Sequence, residues 1–207
     1  MTNVNKAKET LIFQSTTPPK PEDFQSFQTV ISADWFDQRA SSPPSFLFWL
    51  DEDHFHFLAR RDGSAGTPHP ESQPGYFQAE LWRYDVAEFF LRSANGSRYL
   101  EFNLSPNGGW WSCLFGDPLQ PESGQPSPVP GVRTRALQTP ESWQAQASVP
   151  RRWIEERFPL DESPALNATF ILDSPHQTFF TAGDLGGGEP NFHQPALFPM
   201  AKLVRPA

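Results

Sequence analysis

The chain has 207 residues and a formal charge of −8, from 16 Lys and Arg against 24 Asp and Glu. This is the wrong sign for a surface that tracks nucleic-acid phosphates. No window approaches the ~18 consecutive apolar residues of a membrane span, the opening Met1 to Lys8 is polar without an apolar signal core, and the single cysteine, Cys113, excludes an internal disulfide or a multi-cysteine zinc site, so a soluble, cytoplasmic protein is expected.

The core must lean on rings. Leu, Ile, Val and Phe together make about 23% of the chain, only just above the ~20% floor for a folding core, but there are 19 Phe and 7 Trp. Each ring buries on the order of 150–250 Å², and a core richer in rings than in Leu or Ile suggests sheet.

In chain order, a first strand is expected at 10–14, followed by a short helix within 24–36. Two adjacent strands come next, at 46–50 and 55–60. In the second, His54 and His56 alternate with Phe55 and Phe57, which puts the histidines on its solvent face. Residues 62–75 carry three Pro and three Gly and read as a long loop. Strands follow at 85–92, 98–105 and 110–115, and then a second long loop at 116–131 with five Pro and three Gly. Loops of this length are functional or mobile suspects. Strands at 132–138 and 143–149 precede a helical turn over 150–158, where Pro150 supplies the fixed φ of a first turn. The last strands are expected at 165–172, 177–182 and 200–204. Between them Gly186-Gly-Gly188 reads as a loop, since no Gly-Lys-Ser/Thr follows to make a phosphate cradle. There is no internal repeat and no dividing linker, so the fold class is all-β, a single sandwich of antiparallel sheets over 1–207.

Three of these strands carry chemistry. In Tyr99-Leu-Glu-Phe-Asn-Leu104 the residues Leu100, Phe102 and Leu104 alternate with Tyr99, Glu101 and Asn103, giving one core face and one polar face. Ser105-Pro-Asn-Gly108 is then a turn, and Trp110-Trp111 must point to opposite faces of the next strand. In Asp85 to Leu91 the set Val86, Glu88 and Phe90 opposes the set Asp85, Ala87, Phe89 and Leu91, so the strand is apolar on both sides and Glu88 is covered. A covered carboxylate is costly unless it is paired or hydrogen-bonded, which makes Glu88 either a functional group or a structural acceptor.

The combination Trp82-x-x-Asp85-x-x-Glu88-Phe-Phe, Tyr99-x-Glu-Phe-Asn103-x-Ser-Pro-Asn-Gly108 and Asn191-Phe-His-Gln-Pro-Ala-Leu-Phe198 resembles the family 9 carbohydrate-binding modules and their DOMON-like relatives, over about 46–203. The resemblance implies an immunoglobulin-like β-sandwich whose partner is a saccharide. Trp82 would be its stacking platform, Glu88 an acceptor for sugar hydroxyls, and Phe192, Asn103 and His193 would stand nearby. Two departures stand out: Phe192 occupies the place of the family's second tryptophan, and the strand after Glu88 offers Tyr99, Glu101 and Asn103 where the family has an arginine. The resemblance also implies structural calcium, for which Asp51 and Asp53 are the candidate donors, although three adjacent acids on a turn also fit plain solvation. No other cofactor is expected, and no catalytic residue is assigned.

Three alternatives remain open at this level: a sandwich domain for protein interaction, a haem site of the DOMON type using Met200 and a histidine, and a glycosidase drawing two carboxylates from Glu80, Asp85, Glu88 and Glu101.

Overall fold

A computed structural model describes residues 6–206; the first five residues of the polar opening segment lie outside that range. Thirteen strands form one curled sheet whose two halves face each other. One half runs β8 (Gln120–Pro121), β7 (Trp110–Asp117), β6 (Tyr99–Leu104), β5 (Val86–Arg92) and β11 (Ala165–Leu172), with β12 (Thr178–Thr181) paired to β11. The other half runs β13 (Met200–Val204), β1 (Glu9–Gln14), β3 (Pro44–Leu50), β4 (His54–Asp62), β10 (Ser142–Pro150) and β9 (Arg133–Thr139), with β2 (Thr29–Val30) paired to β3. The β11–β13 link is the single pair Ala165 with Met200, and there the sheet turns over into its second layer.

The β-sandwich expected from period-2 alternation is therefore the fold, and each expected strand is present within about two residues. Among the named strands one departs from antiparallel pairing: β1 lies parallel to both β13 and β3. Local alternation fixes which face of β1 is buried and leaves its direction open, because direction is set by the chain path that delivers it.

The space between the halves is filled by the inward sets of each strand. Phe46, Phe48 and Leu50 of β3 and Phe55 and Phe57 of β4 meet Phe89, Phe102 and Phe170 from the other half. Phe89 stacks on Phe102 at 5.1 Å and meets Phe48, Phe55 and Phe57 edge-on at 5.4–5.9 Å, so rings do the work that aliphatic side chains do in richer cores. Trp110 stacks on Phe102 from this side, while its neighbour Trp111 points outward. Gly108 turns the chain between β6 and β7 at φ +87°, a conformation open to glycine.

The helix expected within 24–36 occupies α1 (Pro21–Phe27), with Pro in its first turn and the Asp23 carboxylate accepting from the Lys20 N–H at 2.8 Å. It stops short because Thr29-Val-Ile31 is a β-branched run, and β2 pairs with Phe46 and Ser45 instead. Phe24 of α1 covers Leu47, Trp49 and Leu58 on the outer face of the second half. After Pro150, α2 (Arg151–Glu155) carries the i,i+4 pairs Arg151–Glu155 and Arg152–Glu156 at 2.9 and 2.7 Å. Among the described residues no helix is long and apolar enough to cross a membrane.

The outer face of β5, β6, β7 and β11 is covered by the segment from Leu185 to Phe198 together with Trp35. Two bonds pin that segment, from Trp35 Nε1 to the Gly188 carbonyl at 2.9 Å and from Gln194 Nε2 to the Leu185 carbonyl at 2.7 Å. The cover leaves an opening above β5 and β6.

Candidate functional site

The opening is a cavity of about 500 Å³ lined by Trp82, Glu88, Phe90, Glu101, Leu119, Ile171, Phe179 and the run Pro190 to His193. Trp82, Glu88, Phe192 and His193, singled out from two separate stretches of sequence, thus meet in one place, with Asn103 from a third on the same sheet face beside them.

The floor is built by strand register. Glu88 stands opposite Asn103 and Thr169, and Phe90 stands opposite Glu101, so both glutamates project from the same face on adjacent strands. Glu88 is 2% exposed and Glu101 6%. Thr169 Oγ1 donates to Glu88 Oε2 at 2.9 Å, and Asn103 Nδ2 donates to Glu101 Oε1 at 3.0 Å. Asn103 Oδ1 is buried with no partner. Burial pushes the Glu88 carboxyl well above the usual carboxylate range, and the charge of Glu101 adds to that shift; burial likewise raises Glu101.

A chain of polar contacts runs from the floor to the rim. The Leu119 N–H donates to Tyr99 Oη at 3.3 Å, and Tyr99 Oη lies 2.8 Å from His193 Nδ1. With the phenol donating to Nδ1, the ring carries its proton on Nε2, which faces Glu101 Oε2 at 3.6 Å. Burial pushes His193 down to about 4, so the imidazole is neutral at pH 7, and it pushes Tyr99 and the Cys113 thiol, which stands opposite Glu101 in the ladder, each up to about 12.

The walls are aromatic and come from loops. Trp82 sits on a short 3-10 turn, Leu81–Arg83, held by the buried Leu81 and by Gln177 Nε2 donating to the Trp82 carbonyl at 2.8 Å. Its side chain is 49% exposed, and the Arg83 guanidinium lies 5.2 Å from its ring. Phe192, at 8% exposure, packs on Trp35, Phe90 and Phe179 at 5.8–6.4 Å. Of the two long loops, 116–131 contributes Leu119, held at φ +62° next to the small hairpin that β8 makes with β7.

Several sequence-level candidates lie elsewhere. Asp85 precedes β5 and is 1% exposed, with its carboxylate accepting from the N–H groups of Thr67 and Ser174 at 3.1 and 2.9 Å; it ties two loops together. Asp51 is buried and accepts from the N–H groups of Asp53 and His54 and from His56 Nε2 at 2.9 Å, while Asp53 is exposed. The turn uses Asp51 as its own acceptor, and its nearest potential metal ligands are His54 and His56, not Asp53. His56 differs from expectation: it is on the outward face but only 3% exposed, with its ring nitrogens bonded to Asp51 and Ser148 beside a second cavity of about 320 Å³ that Pro18 and Pro19 help line. Met200, 46% exposed on β13, is not among the residues of the main cavity.

Sequence reasoning did not pick out Phe90, Ile171, Phe179 or Leu119 as wall residues, and it placed Glu101 on a polar face without pairing it to Glu88. The alternation of β6 held the missing signal: it puts Glu101 and Asn103 on one face, and the β5–β6 hairpin then brings them to Glu88.

No protein-family sequence model matches this chain, and no curated protein matches it in sequence. Its fold, however, is shared. It is similar to a putative carbohydrate-binding protein from Bacteroides uniformis (TM-score 0.71, 15% identity, covering 95% of this chain and 99% of the other). It is also similar to a family 9 carbohydrate-binding module from Caldicellulosiruptor kristjanssonii in complex with glucose (TM-score 0.65, 12% identity, 97% of each chain). A module of the same family and organism in complex with cellotriose gives a TM-score of 0.61 at 13% identity, over 97% of this chain and 95% of the other. The chain thus has the fold of the family 9 carbohydrate-binding modules.

Proposed function

We propose that this protein is a non-catalytic carbohydrate-binding domain that holds a saccharide in the cavity between Trp82 and the Phe179–Phe192 wall. The observation that carries the reading is the pair of buried carboxyl groups, Glu88 and Glu101, at the foot of an open cavity walled by aromatic rings. A pyranose has an apolar C–H face that packs on a ring and an edge of hydroxyls that needs fixed acceptors. Trp82 supplies the platform, Glu88 and Glu101 supply the acceptors, and Asn103 and His193 orient Glu101.

The shared fold with modules bound to glucose and cellotriose supports a saccharide ligand. The charge of −8 argues against a polyphosphate partner. Catalysis is disfavoured by the placement of the carboxyls. A glycosidase sets its acid and its base or nucleophile on either side of the scissile bond, whereas Glu88 and Glu101 share one floor and burial pushes both toward the protonated form.

The test is a titration of the full chain with glucose and with cellotriose, followed by tryptophan fluorescence and calorimetry, on the wild type and on Glu88→Gln. Saccharide should quench or shift the emission. Glu88→Gln, which exchanges an acceptor oxygen for a donor, should weaken binding while the protein stays folded. If Glu88→Gln instead lowers the melting temperature sharply with binding intact, Glu88 is a structural acceptor.

A further inference from the structure

The floor of the cavity is rich in acceptors and carries nothing to balance their charge. Among the described residues that line it there is no lysine or arginine. The neighbouring Arg83 lies over the Trp82 ring and pairs with Glu80 at 2.9 Å. Of the floor's donors, the Thr169 hydroxyl is committed to Glu88 and one N–H of Asn103 to Glu101, and Asn103 Oδ1 adds one more buried acceptor without a partner. His193 faces Glu101 but is held neutral by burial, so it offers a single N–H and no counter-charge.

Two buried carboxyl groups on adjacent strands resist ionising together without a cation, because each has given up most of its water and each charge opposes the other. A ligand offering only hydroxyls would leave them protonated. A ligand offering an ammonium supplies three donors and one positive charge, and above the floor it meets ring faces that attract cations. Resting on the carbohydrate-binding reading, we propose that the saccharide taken by this cavity carries a protonated amine, as a glucosamine unit does, with the ammonium set between Glu88 and Glu101 and the sugar ring on Trp82.

The amine draws its affinity from ionising one carboxyl of the pair, which its single charge balances, so binding expels a proton from the floor. N-acetylation removes the charge and should remove the advantage.

The experiment compares four probes by calorimetry on the full chain near pH 6.5: the β-1,4-linked glucosamine trimer, its fully N-acetylated form, cellotriose and n-butylammonium. The amine trimer should bind at least tenfold more tightly than the acetylated trimer and cellotriose. Its heat should differ between buffers of unlike ionisation enthalpy, which reports released protons, while that of cellotriose should not. Glu101→Gln and Glu88→Gln should each bring the amine-to-cellotriose ratio close to one. If either variant fails to fold, the wild-type ratio and the proton release decide the matter alone.

Cellotriose binding as tightly as the amine trimer would overturn the proposal and leave the carbohydrate reading standing. Absence of binding by all three saccharides to a folded protein would overturn both. Binding of n-butylammonium as tight as that of the amine trimer would overturn it too, by making the sugar ring dispensable.

Discussion

Trp82→Ala separates ligand stacking from folding more cleanly than any other change in this cavity. The side chain is 49% exposed in the free protein, so about half of a surface on the order of 250 Å² is open to a ligand. A stacked pyranose covers roughly 60–100 Å² of it, which at ~25 cal/mol per Å² is about 1.5–2.5 kcal/mol, or roughly a 10- to 70-fold loss of affinity on truncation. The fold should survive. The turn is anchored by the buried Leu81 and by the bond from Gln177 to the Trp82 main-chain carbonyl, both of which survive the substitution. Truncation also gives up the covered half of the ring and the Arg83 contact at 5.2 Å, at most about 3 kcal/mol at ~25 cal/mol per Å², which lowers the melting temperature by up to about 6–12 °C. Phe192→Ala is the contrasting case: that ring is 8% exposed and packs on three others, so its removal should cost about 3–4 kcal/mol of stability whatever it does to binding. Calorimetric titration with cellotriose and the glucosamine trimer, beside thermal melts of both variants, reads these numbers. Unchanged affinity for both sugars in a folded Trp82→Ala would refute the assignment of Trp82 as a platform.

Two further outcomes follow from the buried acids. Burial, with the charge of Glu101 added at Glu88, holds both carboxyls above their usual range, so the native state binds more protons than the unfolded chain. Stability without ligand should therefore fall as pH rises from about 4.5 through the folded values, at about 1–1.5 kcal/mol per pH unit for each group. Melts from pH 4.5 to 8 should show a wild-type-minus-Glu88→Gln difference that declines with pH, and a difference that grows with pH would contradict the burial argument. Asp85→Ala leaves the N–H groups of Thr67 and Ser174 without their acceptor and should cost about 2–4 kcal/mol by denaturant titration, with sugar affinity of the folded protein retained. Lost binding at unchanged stability would move Asp85 from structure to site.

The strands were legible because this sequence punctuates itself. Pro- and Gly-rich stretches bound short runs whose alternation is clear, so Leu100, Phe102, Phe89 and Phe170 could be assigned to the core from parity alone, and each is fully buried. What stayed hidden depends on contacts between distant segments. The parallel seats of β1 rest on partners 36 and 191 residues away, and no local pattern encodes them. Thr29-Val-Ile31 could be read within a helix because its strand partner, β3, lies beyond an irregular segment. His56 kept the parity expected of it, yet it is buried with its ring nitrogens on Asp51 and Ser148, partners that its own strand does not contain.

The cavity divides along the same line. Trp82, Glu88, Phe192 and His193 were visible as spaced side chains, yet the property that sets the site's chemistry belongs to a pair. Glu101, taken alone, is one polar residue in an alternating strand. Opposite Phe90 and one step from the Glu88–Asn103 pair, it doubles the buried acid on the floor, and it does so where the lining supplies no cation. Such an arrangement destabilises the empty protein, because each carboxyl has given up water without gaining a counter-ion. An inert scaffold gains nothing from that cost, whereas a binding site recovers it when a donor-rich ligand arrives. The size of that recovery is measurable as the rise in melting temperature on saturation, and it should be largest for the ligand that brings a positive charge.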